Sequence, residues 1–228
     1  MTTQEQYDAC KECGIKEIYF DNVVRRNQNQ YEDKEGTLLL GGYGGIYHYR
    51  NKNEFITDYS LNVVNAKSVY KLHELGAKRV TLSYELNKKS IQDLLDTYYE
   101  ENDGYPSLEM IVYGHAPLLF TKYCPLKKMN QCGMCKTKQY ELREEHGTFP
   151  ILSHSDCTTT ILNGRKINLL DEIPTLEHIE TFRLNFTIES AEEVKTIIKI
   201  AQSKLEGITS SCFNPETDTR GYFNKEIR

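Results

Sequence analysis

Short apolar segments alternate with amphipathic helices through the first half of this 228-residue chain, and this alternation constrains the fold more than any other feature. Strands are predicted at 37–40, 79–84 and 108–113, and helices at 66–75 and 88–100. The repeat of about 25 to 30 residues is typical of parallel strands joined by helices, as in (βα) barrels. The sequence therefore predicts an α/β fold, as a partial or complete TIM-barrel-like domain with a cysteine-rich insertion.

Two further local expectations concern the N-terminal part of the chain. The segment 17–21 is apolar enough to form another short strand, after a helix over 5–14 that ends at a glycine. The glycine-rich segment 41–45 lacks the spacing of a phosphate-binding loop. A tight chain reversal is therefore expected there.

The number of predicted strands limits how the sheet can close. Five or six strands are too few for an eight-stranded barrel. The sheet is therefore open, or the chain is part of a longer protein, or a partner completes it. The predicted organisation is βα repeats over 1–120, a cysteine-rich metal-binding segment over 121–160, a further βα unit over 161–206 and a tail over 207–228.

The bulk properties of the chain exclude several classes of protein. A net charge of −5 argues against broad nucleic-acid binding. No run of about 18 apolar residues occurs, so no membrane span is expected. The N-terminus has neither the basic nor the apolar region of a signal peptide. The protein is therefore predicted to be cytoplasmic, where cysteines are metal ligands or buried thiols rather than disulfides.

Four cysteines in the middle of the chain form its strongest chemical signal: Cys124, Cys132, Cys135 and Cys157. Thiolates are soft ligands, and four of them suit zinc or an iron–sulfur cluster. A zinc ribbon usually has two C-x-x-C pairs, whereas this segment has one, Cys132 with Cys135. We therefore expect a metal site on these cysteines, with iron–sulfur favoured over zinc.

A basic stretch surrounds three of these cysteines. Five lysines and no carboxylate lie between Lys122 and Tyr140. Such lysines offset the negative charge of a thiolate-bound metal, contact the phosphates of RNA, or form a solvated loop surface. Lys127 and Lys128 are the candidates for phosphate contact.

A longer pattern begins at Glu109 and continues through Gly114 and Cys124. At these spacings it resembles the signature of the collagenase-like peptidases, unassigned peptidase family number 32. The segments 58–65, 72–83, 149–163 and 219–223 are similar to other parts of the family pattern. The chain departs from the family at Pro117, where many members have a cysteine, and at His115, where close relatives often have arginine.

The resemblance implies a barrel-like fold, a [4Fe-4S] cluster and hydroxylation of tRNA or rRNA without oxygen, with prephenate as a co-substrate. It makes the chain an oxidoreductase-type RNA hydroxylase, with a paired family member or the missing remainder of the protein as a partner. The alternatives are a peptidase, as the family name says, and a non-catalytic subunit whose metal is structural. No recognised nucleophile motif supports the peptidase.

Three side chains are candidates for the substrate side of the site. Glu109 lies on a predicted strand, Asp58 near a strand end and His115 beside the signature glycine. A carboxylate on a strand serves as a general base or binds a ligand, and α/β folds keep their sites at strand ends. The structural alternatives are a glutamate that accepts backbone N–H groups, an aspartate that shapes a turn and a histidine with satisfied partners.

Overall fold

The structure is a computed structural model that describes residues 2–20, 23–24, 33–136, 138–145, 147–154 and 157–225. The helices are α1 (Gln4–Glu12), α2 (Tyr43–Tyr49), α3 (Ala66–Glu74), α4 (Lys88–Asn102), α5 (Pro125–Lys128) and α6 (Ala191–Leu205). The strands are β1 (Val23–Val24), β2 (Leu38–Leu40), β3 (Phe55–Thr57), β4 (Ala77–Thr81), β5 (Leu108–Gly114), β6 (Pro117–Thr121), β7 (Tyr140–Glu144), β8 (Gly147–Ser153), β9 (Thr159–Leu162), β10 (Lys166–Asn168), β11 (Thr181–Asn185) and β12 (Asp218–Thr219).

The main sheet contains parallel neighbours in the order β1-β2-β3-β4-β5-β11. Strand β10 pairs antiparallel with the end of β5, and β12 pairs parallel with β10. In the part of the chain that the structure describes, no pairing joins β1 to β11, so this sheet is open rather than a closed barrel. The predicted α/β class with a parallel sheet is confirmed.

A second sheet occupies the chain between Pro117 and Leu162. Its four strands are antiparallel, in the order β6-β9-β8-β7. Three of the four central cysteines lie between β6 and β7, and the fourth lies between β8 and β9. This sheet therefore stands where the sequence places a cysteine-rich segment, and metal binding by that segment stays a prediction.

Side-chain caps determine where several helices begin. Asn65 and Asn87 precede α3 and α4, and each accepts a hydrogen bond from the backbone N–H three residues further on. Ser190 and Glu193 form a reciprocal capping box at the start of α6. Helices α3 and α4 coincide with the predicted ones because cap and apolar spacing agree in both of them.

Strand β5 lies in the centre of the main sheet, and all seven of its residues are buried. Strands buried on both faces are typical of parallel sheets that helices cover. Helix α3 packs against β4 and α4, and the first helix, α1, packs against the last, α6. Gln6 of α1 fixes this contact, since its Nε2 donates to the Glu189 carbonyl oxygen at 2.8 Å.

The chain reversal predicted at 41–45 is wrong. Gly42 is the N-cap of α2, and Gly45 is buried within that helix. Glycine disfavours a helix by about 1 kcal/mol relative to alanine. Ile46 and Tyr49 of α2 are buried in the core, and their burial outweighs that cost.

The strand predicted at 17–21 is also not observed. Residues 17–20 pair with no strand in the described part of the chain, and residue 21 lies outside it. The side chains of Glu17 and Tyr19 instead bind charged groups of the main sheet. Tertiary ion pairs therefore override the local β pattern here.

Gly114 ends β5 at a position where no side chain fits. Its φ is +130°, and a Cβ atom would lie 2.3 Å from the carbonyl oxygen of Asn185 on β11. A glycine is therefore needed for β5 and β11 to approach each other at this point. The glycine of the sequence signature is thus required at this position for a steric reason.

Gly114→Ala is expected to lower the free energy of unfolding by about 2–4 kcal/mol, because it adds backbone strain and a clash with a paired strand. Urea denaturation followed by circular dichroism measures this. Gly104→Ala is the control, since a Cβ there meets nothing within 4 Å, and its change should stay within about 0.5 kcal/mol. Equal stability losses in the two variants would contradict the steric role.

Candidate functional site

Three charged side chains meet inside the main sheet. Asp58 follows β3 and Glu109 lies on β5, both fully buried, and Arg183 of β11 is 7% exposed. Nη1 of Arg183 donates to Oδ1 of Asp58 at 2.6 Å, and Nη2 contacts Oε1 of Glu109. One guanidinium thus joins two buried carboxylates that come from distant parts of the chain.

Further donors surround the Glu109 carboxylate. Thr81 Oγ1 donates to Oε1 at 3.0 Å, and Arg79 Nη1 donates to Oε2 at 3.2 Å. The single proton of Tyr19 OH is shared between Oε2 of Glu109, at 3.0 Å, and Oε1 of Glu17, at 2.6 Å. Arg79 also binds both carboxylate oxygens of Glu17, at 3.0 and 3.1 Å. We call the following set the ion-pair centre: Glu17, Asp58, Arg79, Glu109 and Arg183.

The charges of the ion-pair centre shift the pKa values of its members and of Tyr19. Burial alone would lower the pKa of Arg183, but the charges of Glu109 and Asp58 raise it above its ordinary value. Burial, and then the charge of Glu109, raise the pKa of Tyr19, so its phenol stays a hydrogen-bond donor. Burial would raise the pKa of Glu17, but hydrogen bonds from Arg79 and Tyr19 lower it.

The structure brings together two of the three predicted substrate-side residues, Asp58 and Glu109. The Glu109 carboxylate receives hydrogen bonds or ion-pair contacts from Thr81, Tyr19 and both arginines of the ion-pair centre. These contacts occupy most of the lone pairs that a general base would offer to a substrate proton. The centre therefore holds strands and charges in place, and a catalytic role for either carboxylate stays a prediction.

His115, the third predicted residue, lies apart from the ion-pair centre. It follows the end of β5, is 6% exposed, and its Nδ1 lies 2.6 Å from the Asn163 carbonyl oxygen. Because a carbonyl can only accept, Nδ1 carries the proton. Along an extended strand, His115 is roughly 20 Å from Glu109. Its catalytic role stays a prediction, but it does not share a site with the two carboxylates.

Sequence reasoning missed Arg183, Arg79 and Tyr19. Arg183 lies between the apolar residues Phe182 and Leu184, in an alternating pattern that is typical of a strand with one solvated face. The pattern therefore gives no sign that Arg183 is buried. No sequence signal marks Tyr19 either, since its contacts depend on how the N-terminal segment crosses the sheet.

A cavity of about 240 Å³ opens beside the ion-pair centre. Glu17, Tyr19, Glu109 and Arg183 line its polar end, and apolar side chains from α1, β2, β11 and α6 line the rest. Small-molecule sites typically measure about 300–1,000 Å³, with mostly apolar walls and a few polar groups. The cavity therefore has the character of a site for a very small molecule.

The four cysteines of the predicted metal site lie on connections of the second sheet. Cys124 is the N-cap of α5 and half-buried, Cys135 is half-buried, and Cys132 and Cys157 are exposed. Among the described residues, no three His, Cys, Asp or Glu side chains are placed to hold a metal ion. As they are placed, the cysteines do not fit a cluster, and the [4Fe-4S] and zinc alternatives both stay predictions.

Four of the lysines around these cysteines are exposed. Lys122, Lys127, Lys128 and Lys138 have no ion-pair partner in the described part of the chain. The only described cation–aromatic contact among them places Lys128 Nζ 6.0 Å from the ring centroid of Tyr123. The segment therefore presents unpaired positive charge beside thiols.

The fold and these sites define a mixed α/β protein with a charged centre in its parallel sheet and a second, antiparallel sheet that carries thiols and lysines. Residues 45–227 match the sequence model of Peptidase family U32, so the chain belongs to this family. The family name makes an enzyme the expected class. Comparisons with curated proteins and with solved structures found no match. In the described part of the chain, no helix is long and apolar enough to cross a bilayer.

Arg183→Met is expected to destabilise the protein by about 3–5 kcal/mol, because it leaves two buried carboxylates without their shared counter-charge. Urea denaturation of variant and wild type measures the difference.

Arg143→Met is the matched control for this prediction. The side chain of Arg143 is 80% exposed and pairs with Glu141 at the surface, so its loss should change stability by no more than about 0.5 kcal/mol. A loss in the Arg183 variant as small as that of the control would show that the ion-pair centre does not hold the sheet.

Proposed function

We propose that this chain is an oxidoreductase-type enzyme that takes part in the hydroxylation of a tRNA or rRNA in the cytoplasm. The reaction class comes from the resemblance to hydroxylating members of the family. The observation that carries the RNA part is a group of exposed lysines on the connection between β6 and β7, which have no ion-pair partner among the described residues: Lys122, Lys127, Lys128 and Lys138.

The pairing of other lysines supports this proposal. Lys67, Lys78 and Lys195 each lie within ion-pair distance of a glutamate. An unpaired lysine binds a phosphate without first giving up a carboxylate partner, and each phosphate contact releases counterions. Local positive charge therefore favours RNA at this surface, although the whole chain carries a net charge of −5.

The cofactor part of the proposal rests on the resemblance and on the four-cysteine pattern in the sequence. A [4Fe-4S] cluster would take Cys124, Cys132, Cys135 and Cys157 as ligands, and it would supply the redox chemistry. The side chains do not converge in the described structure. Metal binding and the folding of a ligand loop are coupled, so such a segment reaches its ligand geometry only with the metal.

Prephenate, the proposed co-substrate, has no assigned residues. It carries two carboxylates, whereas the cavity beside the ion-pair centre is lined by Glu17 and Glu109 with Arg183. Like charges repel a dianion there. The cavity is therefore not the site that we assign to prephenate, and this co-substrate is proposed from the resemblance only.

The raised pKa values of two cysteines, Cys10 and Cys212, do not support the peptidase alternative. Burial raises the pKa of Cys10 to about 11. Burial, followed by a hydrogen bond with Asp171, raises the pKa of Cys212 to about 11. A cysteine nucleophile needs a lowered pKa, so neither thiol is suited to that role. A non-catalytic subunit with a structural metal remains the other alternative.

Metal and sulfide analysis of anaerobically purified protein tests the cofactor. We expect about four iron and four sulfide per chain with broad visible absorption, and loss of the colour in Cys135→Ser. Cys212→Ser is the control, because Cys212 of the C-terminal tail contacts Asp171, away from the four cysteines, and its loss should leave the colour intact. Stoichiometric zinc without colour would contradict the cluster and leave a structural metal.

Replacement of Lys127 and Lys128 by glutamine tests the phosphate contacts. The slope of log K against log salt for tRNA binding should fall in magnitude by about 1 to 2, because two counterion-releasing contacts are lost. Fluorescence anisotropy across a salt series measures it. Lys89→Gln with Lys199→Gln is the charge-matched control, since both lysines are exposed on helices of the main domain. An unchanged slope in the Lys127/Lys128 variant would rule out the phosphate role.

A further inference from the structure

Strand β6 exposes large apolar side chains on both of its faces. Leu118, Leu119 and Phe120 are consecutive and are 56%, 52% and 45% exposed. A bulge at Leu118 interrupts the pairing of β6 with β9. Leu119 and Phe120 oppose consecutive residues of β9 and point to opposite faces, so both faces of β6 carry partly exposed apolar side chains. Soluble proteins rarely leave such contiguous apolar surface without a binding role.

One face of the second sheet carries two neighbouring rings. Phe120 pairs with Thr160, and Thr160 pairs with Leu152 across the antiparallel strands, so these side chains share a face. His154 follows on that face, with its ring centroid 6.4 Å from that of Phe120. Its Nε2 lies 2.9 Å from Thr160 Oγ1, which fixes the imidazole beside the Phe120 ring.

A third ring stands at the end of the same strand. Tyr123 is 52% exposed, and its backbone N–H donates to Thr121 Oγ1 at 3.0 Å, which holds the turn after β6. Along the chain, Tyr123 is within about 11 Å of Phe120. Lys128 stands over the Tyr123 ring, so a flat surface and a positive charge lie side by side.

We infer that β6 and the turn after it bind single-stranded RNA, with unstacked bases on the rings of Phe120 and Tyr123 and phosphates on the neighbouring lysines. This inference rests on the proposed function and names the form of RNA that the second sheet takes. Aromatic rings stack on any base, provided that the base is not already enclosed in a duplex.

Charge distinguishes RNA from a protein as the occupant of this surface. The cores of protein–protein interfaces are depleted of lysine. Lys122, Lys127 and Lys128 lie within the same short segment as Tyr123, and none has an ion-pair partner among the described residues. Single-stranded RNA complements this surface, because its phosphates are negatively charged and its bases are flat and apolar.

The test compares two labelled oligonucleotides of equal length, a 12-nucleotide unstructured RNA and the same RNA in a duplex, by fluorescence anisotropy. The double variant Phe120→Leu with Tyr123→Leu keeps apolar bulk but removes both rings. It should weaken single-strand binding at least about tenfold and leave the salt slope unchanged. Circular dichroism confirms that the variant is folded.

The control variant is Tyr47→Leu with Tyr222→Leu. Both tyrosines are exposed, at 77% and 53%, and each ring lies near a cation, as Tyr123 does. Single-strand affinity should not change in this variant. A tenfold loss here as well would show that the effect of the Phe120 and Tyr123 substitutions is not specific to β6.

The outcomes separate this inference from the proposed function. Duplex RNA bound as tightly as single-stranded RNA, or RNA binding that is insensitive to both rings, would overturn the inference and leave the proposed function standing. Absence of any RNA binding would overturn both. A change of oligomeric mass on loss of the rings, measured by light scattering without a change in RNA affinity, would overturn the inference in favour of a protein partner.

Discussion

The contact of one guanidinium with two buried carboxylates organises the main sheet. Arg183 joins Asp58, 125 residues away in the chain, to Glu109 on the central strand. Buried ion pairs cost desolvation, which is offset only when the geometry is good and the remaining donors and acceptors are satisfied. Thr81, Tyr19 and Arg79 provide most of those additional contacts. The position of the N-terminal segment, and the cavity beneath it, follow from this centre.

Much of the fold could be predicted from the sequence where local signals agree. Asn65 and Asn87 cap helices whose apolar spacing also indicates a helix, and both helices are observed. The pattern fails where tertiary contacts decide. Side chains of the segment 17–20 bind charged groups on other strands instead of forming a strand. The glycine-rich segment 41–45 leads into a helix because Ile46 and Tyr49 are buried in the core.

The candidate site was predictable only in part. Asp58 and Glu109 could be predicted as site residues because α/β folds keep their sites on strands and at strand ends. The structure places both of them in one ion-pair centre. Their partner Arg183 lies in an alternating pattern that is typical of a half-solvated strand, and spacing cannot tell which carboxylates it meets. His115 was grouped with them because it stands beside the signature glycine, whereas β5 carries it to the far end of the strand.

The second sheet differs from the main sheet in how much of its surface is buried. Its strands leave most of their side chains at least partly exposed, so stability has to come from pairing and from whatever binds there. Sequence patterns identified the thiols and lysines of this region but not the strands β6, β7 and β8 that flank them. A metal, an RNA or both would therefore be expected to order this sheet as well as to use it.

The contact between the first and the last helix has a consequence for how the chain is made. Gln6 reaches a carbonyl oxygen 183 residues later, so α1 leaves the ribosome long before its partner exists. Ala9 and Cys10, which are buried in the folded protein, therefore stay exposed until α6 packs against α1. Contacts of such long sequence separation form late and slow the search for the native topology. Vectorial synthesis thus leaves the N-terminal helix as the last large piece to dock.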